Sequence, residues 1–365
     1  MNRSIAFLCV LFYAIVSPLF CSSQSTSDSL PQKKNPVSFA GMALPARSPE
    51  NGFYVQGGLI GLFKTDPKDS LLRTSNLYLF GLYSQLRQYR ISLGGDVFTK
   101  KEKYYFNGWY YYSYLPEAYF GTGEHVSPDK SEFISYRLWY LNTNALRNIY
   151  KKWFAGLTYS YEHLYNLTTP QGGIAETQRP TGMETYSVSG LGLRVRHDSR
   201  DYIISSTKGF FFDINYNAFG KVLGSTYTFN QFALDLRKFI NLTPKKYNVL
   251  AFNFVMENVN GKVPFRYLSY INARGYHPNL YRDNTLLSLQ AEYRLRIWKW
   301  IGASFFGGIS ETAPSVNQLA YNPIRENYGG GLRFRVIKQH NMYLRVEYGM
   351  SHNTSNYYVS FYDAF

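Results

Sequence analysis

The chain has 365 residues, of which 45% are hydrophobic, 17% charged and 18% aromatic (35 Tyr, 27 Phe, 5 Trp), with a formal charge of +15. So aromatic a composition excludes a disordered chain, and a mean hydropathy of −0.30 with no later apolar run of about 20 residues argues against helical membrane spans. Both cysteines, Cys9 and Cys21, lie near the start, so no disulfide framework is expected in the rest of the chain.

Residues 1–23 read as a cleaved secretory signal. Arg3 gives a basic start, the run 5–16 is apolar but short, Ser17-Pro18 breaks it, and Cys21 and Ser23 are small residues that suit cleavage. Export removes the reflex reading of the positive charge as a nucleic-acid footprint. It favours anionic lipid head groups, lipopolysaccharide phosphates or anionic solutes as partners. Residues 24–51 carry Pro31, Pro36, Pro45 and Pro49 among Ser, Lys and Asn, and read as an extended periplasmic leader without a core. The domain reading is therefore a signal over 1–23, a leader over 24–51 and one β domain over 52–365.

From there, strand-like segments recur between turn signals. They are expected at 54–63, 72–84, 88–98, 103–114, 117–123, 132–143, 153–164 and 185–197. The second half adds 209–219, 226–239, 247–258, 287–297, 300–310, 328–337, 342–350 and 356–365. Many alternate with a period of two: Trp153, Ala155, Leu157, Tyr159 and Tyr161 oppose Gly156, Thr158, Ser160 and Glu162. The count is about sixteen, even as a single-chain bacterial barrel requires, at roughly 21 residues per strand and connection. Tyrosine in such number suits the two bilayer interfaces, where the ring is buried and the hydroxyl stays wet. The predicted class is an all-β transmembrane antiparallel barrel; with both chain ends periplasmic, the connections 144–152 and 197–208 fall on the periplasmic side and 165–184 and 259–285 outside.

The most informative stretch is 271–297, INARGYHPNLYRDNTLLSLQAEYRLRI. Leu287, Leu289, Ala291, Tyr293, Leu295 and Ile297 share one face and Ser288, Gln290, Glu292, Arg294 and Arg296 the other. A soluble sandwich buries the first set, whereas a membrane barrel turns it to lipid and the second set to the lumen. In front stand Arg274-Gly275-Tyr276 and Arg282-Asp283, and at 198–209 a DSRD…TKG string.

In this order the motifs resemble the BamA/TamA superfamily of outer-membrane barrels, the bacterial surface antigen type, over nearly all of the mature chain. The resemblance implies that the loop before the 287–297 strand folds back into the barrel. Its tip would hold Arg274, with Gly275, Tyr276, Arg282 and Asp283, and Arg274 would pair with the lumen carboxylate Glu292. An enclosed guanidinium needs such a carboxylate fork; the plain alternative is a loop arginine in solvent. Where the family often has an aspartate, near 305–308, this sequence has glycine, so Arg274 is expected to lean more heavily on Glu292. The family's assembly factors carry periplasmic POTRA domains, for which 24–51 is too short.

If apolar faces meet lipid, the inward charges include Arg194, Arg196, Arg237, Arg294, Arg296, Arg333, Arg335 and Arg345, opposed by Asp213, Asp235, Glu292 and Glu347. Tyr357, Val359, Phe361 and Phe365 resemble the C-terminal signal by which barrel-assembly machinery recognises its clients, with Asp363 interrupting it. No enzyme, cofactor or metal centre is expected. His197, Asp198 and Ser199 are contiguous and point to opposite faces, and the histidines, His125 and His340 among them, show no ligand spacing. Gly329-Gly330-Gly331 reads as room for strand bending or for the returning loop.

Three functions compete. One is insertion or translocation of outer-membrane protein or lipid through a seam between 54–63 and 356–365. The others are a passive, anion-preferring pore and a plugged structural barrel with an accessory lipoprotein or periplasmic partner.

Overall fold

The computed structural model describes residues 37–69, 72–123, 126–202, 205–243, 247–319, 323–337, 342–360 and 363–365. The signal segment 1–23, residues 24–36, His125, His340 and Phe361 lie outside them.

The strands in the first half are β1 (Val37–Ser48), β2 (Gly52–Phe63), β3 (Ser75–Ser84), β4 (Tyr89–Phe98), β5 (Tyr104–Tyr119), β6 (Glu132–Tyr150), β7 (Trp153–Thr168), β8 (Tyr186–Asp198) and β9 (Gly209–Phe219). The second half has β10 (Phe229–Asn241), β11 (Asn248–Gly261), the two-residue strands β12 (Ser269–Tyr270) and β13 (Arg282–Asp283), then β14 (Thr285–Arg296), β15 (Ile301–Ala313), β16 (Arg325–Ile337), β17 (Met342–Ser351) and β18 (Ser355–Ser360). Sixteen of them close a single antiparallel barrel in sequence order, with β14 following β11 and β18 returning to β1. β12 and β13 form a separate small ladder within the connection between β11 and β14. One short helix, α1 (Ile174–Gln178), sits in the connection between β7 and β8. Away from the β1–β18 junction, neighbouring strands satisfy one another's main chain, the condition for crossing a bilayer with strands.

Which way the faces turn is decided on β14. Ser288, Gln290, Glu292 and Arg294 are buried, while Leu289 is 47% exposed and Leu287, Ala291, Tyr293 and Leu295 are half-buried. Strands all around the barrel agree: Leu59, Leu79, Leu93, Leu157, Leu193, Phe305 and Leu332 all look outward. Burial is thus the reverse of a soluble sandwich, with apolar side chains outside and ionised ones inside.

The barrel has sixteen strands as expected, but two of the expected segments are one strand and another strand lies in the expected leader. Residues expected as strands at 103–114 and 117–123 form one strand, β5, which runs through Pro116 with unbroken pairing to β6. Residues 37–48, expected in the leader, form β1, paired with β2 from Val37↔Phe63 to Ser48↔Gly52. Pro45 misled the sequence reading, since proline is tolerated on an edge strand, and β1 is nearly one. The leader therefore does not extend to residue 51, and the strand facing β18 is β1, not 54–63.

β1 starts from, and β18 runs toward, one rim of the barrel, here called the terminal rim. The turns after β2, β4, β6, β8 and β10 share it, and the long connection after β11 starts from the opposite rim.

Candidate functional site

The site is the lumen, where the β11–β14 connection folds inward and meets a set of charged side chains on β14–β17. At its tip, Gly275 has φ 106, a left-handed value that favours glycine, and a Cβ there would lie 2.7 Å from the Met350 carbonyl oxygen on β17. The tip is therefore pressed main chain to main chain on the wall. The Gly275 N–H donates to the Tyr358 hydroxyl at 2.8 Å, and its carbonyl accepts from Thr354 Oγ1 at 2.6 Å. Asn327 Nδ2 donates to the Arg274 carbonyl at 2.9 Å, and the Tyr276 hydroxyl to the Glu326 carbonyl at 2.7 Å. Along the rest of the loop, Ile271, Ala273, Tyr276, Leu280 and Tyr281 pack with Phe120 and Leu286 into an apolar cluster. The loop thus has a core of its own.

Arg274, buried, reaches Glu292 Oε2 at 2.6 Å through Nη2 and Glu347 Oε2 at 3.1 Å through Nη1. Its guanidinium lies 3.6 Å from the centre of the Phe306 ring. The Arg274–Glu292 pair is present, and a second carboxylate, Glu347, shares the arginine, so it leans less heavily on Glu292 than expected. Glu347 comes from three strands away around the barrel, a neighbour that no local spacing reveals. Gly329 serves the same contact: a Cβ there would sit 2.5 Å from the Phe306 ring, so glycine leaves the ring its place under Arg274.

The network continues toward the terminal rim. Glu292 Oε1 also accepts from Arg294 Nε at 2.7 Å and from Arg333 Nη1 at 3.3 Å, and Glu347 from Arg345 Nη1 at 2.8 Å and Ser304 Oγ at 2.9 Å. Asp363 joins Arg294 Nη1 and Arg333 Nη2, both at 2.7 Å. Four arginines thus share three carboxylates at nearly zero exposure. Further donors go to other oxygens: Arg294 to the main-chain oxygens of Ser206 at 3.2 Å and Phe365 at 3.4 Å, and Arg345 to Ser360 Oγ at 2.8 Å. Ser206 belongs to the DSRD…TKG connection, which ties itself off with an Asp198–Arg200 pair at 2.8 Å and an Asp201–Thr207 hydrogen bond. That turn closes under the lumen and braces the cluster from below.

The terminal residues correct a further expectation. β18 ends at Ser360, and Phe365 is buried in the lumen against Phe239 and Ala251 rather than presented on the outer face of a last strand. Tyr357 is 55% exposed beneath the Arg47 guanidinium and Val359 pairs with Arg47, so Tyr357, Val359 and Phe365 do not form one continuous outward stripe. Asp363, which only interrupted the pattern in sequence, holds the tail inside.

Other predicted lumen charges form separate groups. Asp213 takes both Arg194, at 2.9 Å, and Arg196, and Asp235 takes Arg237 at 2.5 Å. Arg282 reaches Asn279 and lies 3.6 Å from Glu117 Oε1, and Asp283 is buried beside it in the β12–β13 ladder. Arg296 stacks over Tyr247 at 4.8 Å, and Arg335 donates to the Lys299 carbonyl at 2.6 Å; both lie toward the rim and are not brought into the Arg274 network. Sequence reasoning did not single out Arg266, which pairs with Glu162 at 3.3 Å and donates to Tyr136 on the far wall. The signal for it was the polar Glu162 on the inward face of an alternating strand. Cavities of about 410 and 360 Å³ lie beside the loop, the first against β8–β11 and the second against β3–β5 and the β1–β2 turn.

A closed sixteen-stranded barrel with apolar walls, an ionised lumen and an inward-folded loop defines an outer-membrane type of β-barrel. The Omp85 superfamily domain matches residues 73–335, and the chain belongs to that superfamily. Among solved structures, BamA from Haemophilus ducreyi lacking POTRA domains 1-3 is similar at a TM-score of 0.59 and 12% identity, over 98% of this chain and 77% of that one. CdiB from Acinetobacter baumannii is similar at 0.57 and 12% identity, over 89% of this chain and 60% of that one. CdiB from Escherichia coli is similar at 0.59 and 10% identity, over 91% and 63%. The chain thus spans about three-fifths of the CdiB chains. No curated protein matches it in sequence.

Proposed function

We propose that this chain, exported to the outer membrane of a Gram-negative cell behind a cleaved signal, is a non-enzymatic barrel that inserts or translocates outer-membrane protein or lipid through a sideways opening between β1 and β18. The observation that carries the reading is the weakness of that seam. Among the described residues, β1 and β18 share one register pair, Arg47↔Val359, whereas β1 and β2 share twelve. Among the described residues, β1 from Val37 to Ala46 has no register partner on that side, and we read that side of it as a strand edge. Such an edge is costly in hydrocarbon and ready to pair with an incoming strand. Meanwhile the loop and its arginine network block the direct way through the lumen.

The family resemblance favours the same role, and an accessory lipoprotein or periplasmic partner fits a barrel of this kind. The test is depletion of the protein followed by quantification of other barrels and of lipopolysaccharide in the outer membrane. Their loss, rescued by the wild type but not by an Arg47→Cys/Val359→Cys pair until reductant is added, supports the proposal. Unchanged outer-membrane content on depletion, or full rescue by the oxidised pair, sinks it.

A further inference from the structure

We propose that the two adjacent turns closing β4–β5 and β6–β7 at the terminal rim form a binding site for an anionic phospholipid head group of the leaflet facing that rim. The proposal rests on the orientation used above, with both chain ends periplasmic, and adds a ligand and a place for it.

Six cations meet there, Lys100, Lys101, Lys103, Arg147, Lys151 and Lys152, and all are exposed. They belong to one surface because β5 and β6 are neighbours: Tyr104 opposes Arg147 in register, and the Asn148 N–H donates to the Lys103 carbonyl at 2.9 Å. The nearby acids are already engaged. Glu102 is held by Arg73 at 2.9 Å and Asp66 lies 3.4 Å from Lys100. Among the described residues no carboxylate pairs with the other five cations. The opposite rim is mixed, with Lys130, Arg179 and Lys221 beside Asp129, Glu176 and Glu184, so the accumulation is not a general feature of the loops.

Two further observations make the occupant an amphiphile rather than a free anion. The cations border directly on outward apolar side chains: Tyr104, Phe106, Ile149 and Tyr150 are 39%, 45%, 61% and 61% exposed. Lys103 Nζ lies 5.5 Å from the Tyr104 ring centre and Lys151 Nζ 5.0 Å from that of Tyr150. These rings mark where hydrocarbon ends, which places the ammonium groups at the level of lipid phosphates. In addition, the β6–β7 turn consists of Lys151 and Lys152 at φ 34 and 70, and Lys101 stands at φ 55 in the other turn. Asn and Gly relax such left-handed positions and are the ordinary choice in a two-residue hairpin. Three lysines there accept backbone strain in order to present charge.

The test uses the full chain in detergent and native mass spectrometry with phosphatidylglycerol and phosphatidylcholine. Wild type should retain phosphatidylglycerol at least about fivefold better than phosphatidylcholine, the differential expected when several cations act at a lipid surface. The Lys100→Gln/Lys101→Gln/Lys151→Gln/Lys152→Gln variant should lose that preference. A control Lys208→Gln/Lys238→Gln/Lys299→Gln variant, on the other side of the same rim, should keep it. Equal retention of both lipids by wild type, the same loss in the control, or preferential retention of lipopolysaccharide or an acidic peptide over phosphatidylglycerol each overturns the site. The orientation is checked separately by labelling a Lys151→Cys variant in intact cells with a membrane-impermeant thiol reagent. Labelling from outside the cell overturns the orientation itself, whereas a shielded cysteine with no lipid preference overturns only the lipid site.

Discussion

Arg274 is the residue on which the seating of the loop turns. Its guanidinium is buried between Glu292, Glu347 and the Phe306 ring, so Arg274→Ala leaves two carboxylates beside an empty place. Removing one partner of a buried ionic set costs about 3–5 kcal/mol, because the remaining charges cannot recover their hydration. We expect a lower urea midpoint for loop and barrel in Arg274→Ala, and a smaller loss in Arg274→Lys, whose single ammonium cannot fork between two carboxylates. An unchanged midpoint would show that the apolar packing of Leu280 and Tyr281 alone seats the loop.

His277 adds a pH dependence. Burial against Phe120 pushes its imidazole down to about 4 from the usual 6.5, opposed in part by the Glu117 carboxylate. The folded loop therefore prefers the neutral ring. Its contribution is complete above pH 6.5 and is lost as pH falls from there toward 4, because only the undocked loop takes up the proton, a loss on the order of 2 kcal/mol after discounting for partial exposure. Hydrogen exchange over residues 271–283 should accelerate in that window, and the acceleration should vanish in His277→Phe.

Among the elements, β18 with its tail is the one that can exist in two places. The strand stops at Ser360, and Asp363 and Phe365 turn into the lumen, where Arg294 and Arg333 hold the carboxylate. Those arginines also bind Glu292, so the tail and the loop tip draw on the same charges. Asp363→Asn keeps the shape and removes the charge. It should raise hydrogen exchange at 363–365 and also loosen the loop at 274–276. If the tail loosens and the loop does not, the two elements are independent despite their shared arginines. β1 offers the complementary case: a strand built from a Ser- and Pro-bearing stretch is held mainly by β2, since its other side meets β18 at one register pair.

For the molecule as a whole, loop and tail fold into the lumen, and cavities of about 410 and 360 Å³ lie beside the loop. In planar bilayers the wild type should therefore show small, flickering currents, growing in Arg274→Ala as the loop unseats. Large, stable, anion-selective steps from the wild type would instead establish the passive pore that the arginine-rich lumen suggested from sequence.

The sequence by itself determined the barrel, the direction of its faces and one ionic pair. Period-two alternation is a local property, and the RGY…RDN…AEYR order carried Arg274 and Glu292 through family resemblance. What only the tertiary structure decided was everything that depends on closure. Glu347 joins Arg274 because β15 and β16 lie between it and β14 around the wall, and Asp363 becomes a lumen ligand because the tail turns inward instead of continuing the strand. The stretch 37–48 becomes a strand because β2 offers it a full ladder, an energy of pairing that no local propensity of Pro45 or Ser48 contains. Contacts made across a closed ring are remote in sequence, and their partners are fixed by register and curvature, which exist only once the ring has formed.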